Sequence, residues 1–360
     1  MNTSIAGKTN KVEKANIDGF LQGFLAPLLS REREVVRARY GLDGVEPMTL
    51  QAIGNRYHVT RERIRQIEAG ALTKLQDHRH LPYVKLLTEM AARRLKEVGG
   101  VECEDTFLSA LRRAAGDRNG ATLFANAATF LLELSGKVSQ YRDNYGTWHP
   151  YWHLSESDRK KAHSFVGQLI ATLEAKKAEV LQEKKFDAVF ASVAKGAKIT
   201  DAVAKNYLAL SRNFVTGPFG EVGLATWAEV NPRTARDWAY AVLKREKKPL
   251  HFGDLAKTVA DYRKHKRTNP QTIHNELIKD DRFVLVGRGL YTLREFGYIP
   301  GTAREIIAHV LKQHGPLARE AVVDRVKEQR MLKDATILIN LQNHKHFARL
   351  SDGRYNLREA

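Results

Sequence analysis

The stretch from Thr49 to Leu75 constrains this chain most, because it reads as two helices around a tight break. Leu50, Ile53 and Tyr57 recur at helical spacing on the first segment. Thr60 then offers a side-chain oxygen for an N-cap, with Glu62 inside the first turn of the second segment. Ile64, Ile67, Ala71, Leu72 and Leu75 make one apolar stripe, and Arg61, Glu62, Arg65 and Gln66 fall on the opposite face. Side chains of that kind suit base edges and phosphates, and they stand near the start of a helix short enough to lie in a major groove. The spacing predicts a helix-turn-helix with an outward reading face. An amphipathic hairpin whose charged face is only solvated has the same periodicity, so periodicity alone leaves both open.

The residues themselves narrow the choice. Leu29-Ser-Arg-Glu-Arg-Glu-Val-Val-Arg-Ala-Arg-Tyr-Gly-Leu42, Thr49-Leu-Gln-Ala-Ile-Gly54 and Val59-Thr-Arg-Glu-Arg-Ile-Arg-Gln-Ile-Glu68, continuing to Leu75, resemble region 4 of sigma-70 family transcription initiation factors. The resemblance covers residues 25–80 and implies recognition of the promoter −35 element in double-stranded DNA, with docking on the β flap of RNA polymerase. It implies base reading by Arg61, Glu62, Arg65 and Gln66, with Thr60 and Arg63 touching the DNA backbone. A full sigma factor also carries a large helical domain that melts the −10 element. The stretch ahead of the motif leaves no room for it and no replacement is legible downstream, so recruitment or regulation is expected rather than unaided promoter opening.

With 360 residues the chain has material for several domains, and its formal net charge of +18 favours a polyanionic partner. A ribosome-associated or membrane-surface protein would share that balance. The single cysteine, Cys103, excludes a disulfide framework and a Cys-based zinc site within one chain, and a reducing, cytoplasmic setting near the bacterial nucleoid fits. Residues 1–18 are polar, and the apolar run Phe20–Leu29 is short and interrupted by Pro27, so neither a signal peptide nor a membrane span is expected. Phe20, Leu21, Phe24, Leu25 and Leu28 suggest a lead helix packing onto the helix-turn-helix. Ala6-Gly-Lys-Thr9 echoes the end of a phosphate-binding loop, but no glycine or strand stands upstream of it, and it is set aside.

The middle of the chain, residues 81–215, reads as helical and charged. Helices are expected over Tyr83–Val98, Thr106–Ala115, Ala121–Tyr141 and Ser155–Ala191, with Gly99-Gly100 as a stop. The run from Lys160 to Lys185 suits a bundle helix, or a helical hairpin through which a homo-oligomer would form. Tyr145-Gly-Thr-Trp-His-Pro-Tyr-Trp-His-Leu154 invites metal binding or base stacking through His149 and His153, but packing of an aromatic turn onto a helical core is the favoured reading. Thr216–Leu224 is a glycine-rich loop without the Lys and Ser/Thr of a nucleotide site, and Asn231 and Pro232 suggest the start of a helix over Ala235–Lys247.

The C-terminal part is a degenerate repeat. Thr272–Leu293 lines up with Thr336–Leu357, matching Ile273 with Ile337, Leu277 with Leu341, Phe283 with Phe347, Gly289 with Gly353 and Tyr291 with Tyr355. Upstream, Pro249-Leu250 matches Pro316-Leu317. Each unit reads as helices (Gly253–Lys264 or Arg319–Gln329, then one from Asn269 or Lys333) followed by a hairpin turning at Gly287-Arg-Gly289 or Ser351-Asp-Gly353, the order of a winged helix. Pro249-Leu-His-Phe-Gly-Asp-Leu-Ala256 with Asp281–Leu293 also resembles the HARE-HTH family, a winged-helix module similar to the N-terminal domain of the RNA polymerase delta subunit. Residues 244–360 carry 24 Lys and Arg against 14 Asp and Glu, which suits phosphate contacts. In the first copy Asn269, Gln271, Thr272, Asn275, Lys279 and Arg288 are the candidates, while Ile273 and Leu277 must pack inward and His274 could face either way.

No catalytic constellation or cofactor motif is legible, so neither an enzyme nor a resident metal or cofactor is expected. The expected architecture is mostly α: a tail and the start of a lead helix (1–24), a helix-turn-helix (25–80), a helical middle region (81–215) and two small α+β winged helices (216–298 and 299–360). The expected function is a sequence-specific DNA-binding transcription factor. A polymerase-binding accessory protein and a winged-helix sensor of modified DNA are the alternatives.

Overall fold

The computed structural model describes residues 17–117, 120–263 and 268–358, and the chain divides into two units, Met1–Phe214 and Val215–Ala360. In the first unit, α1 (Ile17–Phe24) buries Ile17, Leu21 and Phe24 along one side. α2 (Ser30–Tyr40) follows, and its Arg33 guanidinium donates to the Leu25, Ala26 and Leu28 carbonyls at 3.1–3.2 Å, fixing the turn between them. α3 (Leu50–Tyr57) starts on the Thr49 hydroxyl, and α4 (Arg61–Gln76) starts on that of Thr60. α5 (Pro82–Glu97) opens on a first-turn proline and ends before Gly99 and Gly100, both at positive φ, as the sequence predicts.

β1 (Val101–Cys103), α6 (Glu104–Ala115), α7 (Ala121–Ser135), β2 (Ser139–Tyr141) and β3 (Tyr151–His153) come next, the strands forming an antiparallel sheet in the order β1-β3-β2. The single helix expected over Ala121–Tyr141 is therefore corrected. Gly136 adopts φ 64° and donates back to the last turn, which ends α7 and frees Ser139–Tyr141 to pair with β3. The helix expected over Ser155–Ala191 is also broken, into α8 (Glu156–Ala175), α9 (Lys177–Glu183) and α10 (Phe186–Gly196), with Lys184 in the left-handed region. α11 (Asp201–Leu210) completes the unit. The apolar side of α8, including Phe165 and Leu169, is spent on packing within this unit, with Phe165 against Phe190 and Tyr207.

One core runs through most of the unit. Phe24, Leu28, Leu42 and Leu75 from the α1–α4 segment share it with Leu87, Phe107, Phe124, Phe130 and Trp152. A smaller cluster of Val35, Ala38, Ile53 and Ile64 holds α2, α3 and α4 together. The Asn126 amide donates to the Gly41 and Val45 carbonyls at 2.9 Å, tying α7 to the loop after α2.

At the boundary between the units, the glycine-rich stretch forms a hairpin of β4 (Phe214–Thr216) and β5 (Val222–Leu224). α12 (Ala235–Glu246) is capped by Thr234 rather than by Asn231. The Thr234 hydroxyl accepts from the Asp237 N–H, while the Asn231 amide is turned back to the Ala225 carbonyl. β6 (Leu250–His251), α13 (Phe252–Tyr262), α14 (Pro270–Lys279), β7 (Phe283–Gly287) and β8 (Leu290–Leu293) complete the first module, with sheet order β6-β8-β7. α15 (Ala303–His314), α16 (Arg319–Gln329), α17 (Asp334–Leu341), β9 (Phe347–Arg349) and β10 (Tyr355–Leu357) form the second. The repeat is real in space: Leu250 pairs with Tyr291 in the first module as Leu317 pairs with Tyr355 in the second. Each module has its own core, around Leu255, Ile273 and Leu293 or around Ile307, Val322 and Ile337. The end of the expected helix Gly253–Lys264 and the motif Ala6–Thr9 fall outside the described residues. No helix among the described residues is long and apolar enough to cross a membrane.

A candidate nucleic-acid interface on the helix-turn-helix

The position of α4 is set by the turn before it. Ile53 of α3 and Ile64 of α4 are fully buried against each other's helices, which fixes the crossing. Gly54 lets the chain double back: a Cβ there would meet the Val59 carbonyl oxygen at 2.7 Å, and the Val59 N–H donates to the Gly54 carbonyl at 3.0 Å. His58 takes φ 54° at the corner, a conformation side chains other than glycine rarely adopt. Sequence reasoning singled out neither residue, although a glycine inside a helical pattern is a signal of close backbone approach.

α4 then begins on Thr60, whose hydroxyl accepts from the Arg63 N–H at 3.2 Å. Thr60, Arg61, Glu62, Arg63, Arg65 and Gln66 are all exposed, while Ile64, Ala71 and Leu75 are buried and Ile67 and Leu72 half-buried. The outward side chains are ordered in two intrahelical pairs. Arg65 donates to both Glu62 carboxylate oxygens at 2.8 and 2.7 Å, and Arg63 donates to the Gln66 carbonyl oxygen at 3.3 Å. The Arg65 hydrogen bonds hold the Glu62 carboxyl below the usual carboxylate range. A bidentate arginine with a carboxylate beside it presents donors and acceptors side by side, the chemistry needed against base edges.

The scaffold behind this face is braced. Lys74 pairs with Glu32 at 2.7 Å, and Arg39 reaches both Glu68 at 3.3 Å and the Met48 carbonyl at 3.0 Å. At the rim, the Arg31 guanidinium stacks over Tyr57 at 3.7 Å, and the Tyr57 hydroxyl donates to Glu34 at 3.1 Å. Arg31 and Arg56, both exposed beside the motif, were missed by the sequence reading.

The second candidate set lies in the other unit. Asn269 caps α14, accepting from the Gln271 N–H at 2.9 Å, and the Gln271 amide donates to Asn275 at 3.1 Å. Gln271, Thr272, Asn275 and Lys279 are exposed along α14, and Arg288 is exposed at the β7–β8 turn, while Ile273 and Leu277 are buried. His274 is settled: its half-buried ring packs beside Phe252 and Tyr291, with centroids at 4.6 and 5.8 Å.

The aromatic turn of the middle region packs as favoured at Trp148, Tyr151 and Trp152, whereas Tyr145 stands exposed. Tyr151 and Trp152 are fully buried, Trp148 stacks on His163 at 3.9 Å, and the Tyr151 hydroxyl lies 2.6 Å from His163 Nε2. Burial lowers the affinity of His153 and His163 for a proton. Among the described residues no group of three or more His, Cys, Asp or Glu is placed to hold a metal ion. Burial pushes the Cys103 thiol up to about 11, which leaves it an inert thiol at neutral pH.

Comparison with known proteins falls on the two segments just described. Residues 24–77 match the family described as "Sigma-70, region 4", and residues 233–296 match the HARE-HTH family, whose description includes a "restriction endonuclease HTH domain". RNA polymerase sigma factor SigA1 of Synechococcus elongatus is 59% identical over 56 residues, covering 16% of this chain and 14% of that protein. RNA polymerase sigma factor SigA of Microcystis aeruginosa is 51% identical over 67 residues (19% and 16%), and that of Clostridium acetobutylicum 54% over 52 residues (14% and 14%). No solved structure matches. The chain thus spans only about a sixth or a seventh of the length of these relatives (14–16%). This chain therefore carries a DNA-binding helix-turn-helix of the sigma-70 region 4 type over residues 24–77, holding the whole of Thr60–Gln66, and a HARE-HTH module over residues 233–296.

Proposed function

We propose that this chain is a sequence-specific transcription factor that recognises promoter-like duplex DNA and associates with RNA polymerase, acting as a binding protein rather than an enzyme. Arg61, Glu62, Arg65 and Gln66 read base edges in the major groove, and Thr60 and Arg63 hold the adjacent phosphates. The observation that carries this reading is the exposure of all six side chains on the first two turns of α4, clear of the core that buries the opposite side of the same helix. The relatives' names, RNA polymerase sigma factors, support the polymerase association. Asn269, Gln271, Thr272, Asn275, Lys279 and Arg288 add contacts to DNA from the first C-terminal module.

The test is selection of preferred duplexes from a random pool by the full chain, followed by affinity measurements on a selected and a scrambled site. Arg65→Ala and Gln66→Ala should each reduce the discrimination between them by about 1–3 kcal/mol. Unchanged discrimination in both variants would remove these residues from the reading face. Capture of polymerase by a chain that binds no duplex at any salt concentration would instead favour a helix-turn-helix used for protein contact alone.

A further inference from the structure

The two C-terminal modules share a corner whose charge has been inverted. In the first module Arg236, in the first turn of α12, faces Glu276 and Asp280 at 3.7 and 3.6 Å. Asp280 is also gripped by Arg282 in a bidentate pair at 2.7–3.1 Å, so the cations of this corner are neutralised within the module. The capping boxes Thr234–Asp237 and Thr302–Glu305 align the two first helices, which places Arg304 where Arg236 stands. The register of the repeat places Asn340 at the position of Glu276, and His344, Lys345 and His346 at those of Asp280, Asp281 and Arg282.

The structure follows the same exchange. Arg304 Nη1 lies 3.2 Å from His346 Nε2 where its counterpart meets a carboxylate. Arg358 is strapped onto the same loop, its side chain donating to the His344 carbonyl at 2.6 Å and its backbone N–H to the His346 carbonyl at 2.9 Å. Arg304, His344, Lys345, His346 and Arg358 are all exposed. Among the described residues neither Arg304 nor Lys345 has a carboxylate at ion-pair distance. The neighbouring carboxylate, Glu305, is committed to the Thr302 backbone N–H at 2.6 Å.

Cations held close together on a folded surface repel one another, and a bound anion relieves that repulsion. We propose that this corner of the second module is a phosphate-binding site for duplex DNA, contributing sequence-independent affinity through Arg304, Lys345 and Arg358. Duplex DNA is the polyanion the rest of the chain favours, so the inference rests on the DNA-binding reading above. It does not rest on the reading face of α4, because phosphate contacts carry no sequence information.

The experiment measures affinity of the full chain for a scrambled duplex over a salt series. His344→Asp with Lys345→Asp puts back the acidic pair that Asp280 and Asp281 form in the first module, and Arg304→Ala with Lys345→Ala serves if the first variant does not fold. Each phosphate contact adds about 0.9 to the slope of log affinity against log salt. Either double variant should flatten that slope by roughly 1–2 and weaken binding about tenfold near 0.1 M salt. The loss should be equal on selected and scrambled duplexes, whereas Arg65→Ala should narrow the gap between them. An unchanged slope and affinity in a folded double variant would overturn the site, as would a loss confined to the selected duplex.

Discussion

Glu62 and Arg65 show how single residues order the exposed face of α4. Each is exposed and each already holds the other, so the plane of the guanidinium is set within the helix itself. Gly54 is the less obvious requirement. Its helical backbone suits any residue, but a methyl group would press within 2.7 Å of the Val59 carbonyl oxygen, and that oxygen belongs to the turn itself. Gly54→Ala should therefore destabilise the fold by about 1–3 kcal/mol, the usual range for overpacking, as read by chemical denaturation of the full chain. Unaltered stability would mean that the turn moves aside at no cost. The exposed positions Arg61, Glu62, Arg65 and Gln66 were legible because a stripe of Ile64, Ala71 and Leu75 dictates where the opposite side must be. The requirement at Gly54 was not legible in the same way, because it depends on how closely one backbone approaches another.

At the scale of elements, α2 and α4 are joined by the Glu32–Lys74 pair as well as by apolar packing. The Lys74 ammonium holds the Glu32 carboxyl below its usual range. A carboxyl lowered in the folded state stabilises it above the unfolded value, near 4.3, and that contribution is lost as pH falls through the lower folded value. Glu32→Gln should cost about 0.5–1 kcal/mol at neutral pH and almost nothing in strong acid, measured as urea midpoints at the two conditions. An equal effect at both would assign the loss to packing instead. Helix caps and the repeat were readable at this scale: Asn269 begins α14, and Arg319–Gln329 is α16. The strands β1, β2 and β3 were not, since three residues are too few to show a period of two, and Ser139–Tyr141 follows an apolar helix with only Gly136 to mark the break. The cap on α12 was misplaced for a related reason: Asn231 and Thr234 both have capping side chains, and only the fold decides which one turns toward the helix.

Over the whole molecule, the helix-turn-helix is a face of a larger body. Helical periodicity tells which side of α4 is covered but not what covers it, and the cover turns out to include α7, in a core that α5 and α6 share. Phe24, Leu28, Leu42, Ala71 and Leu75 lie in that shared core, and Asn126 completes the loop after α2 from across it. Full burial of a large apolar side chain contributes about 1.5–3 kcal/mol. Exposing the four large ones together would remove a sum comparable to the whole stability of an ordinary domain, about 5–15 kcal/mol. A fragment of residues 17–80 should therefore fail to fold by itself, with little helical circular dichroism and strong binding of a hydrophobic dye. A fragment of residues 1–214 should melt cooperatively and keep its discrimination between the selected and the scrambled duplex, at the lower affinity left without the C-terminal modules. The contrast matters for function, because a reading face that exists only while the middle helices are docked behind it places control of DNA recognition in those helices. Cooperative melting of 17–80 at the same midpoint as 1–214 would show instead that the motif stands alone and that the helices behind it serve some other purpose.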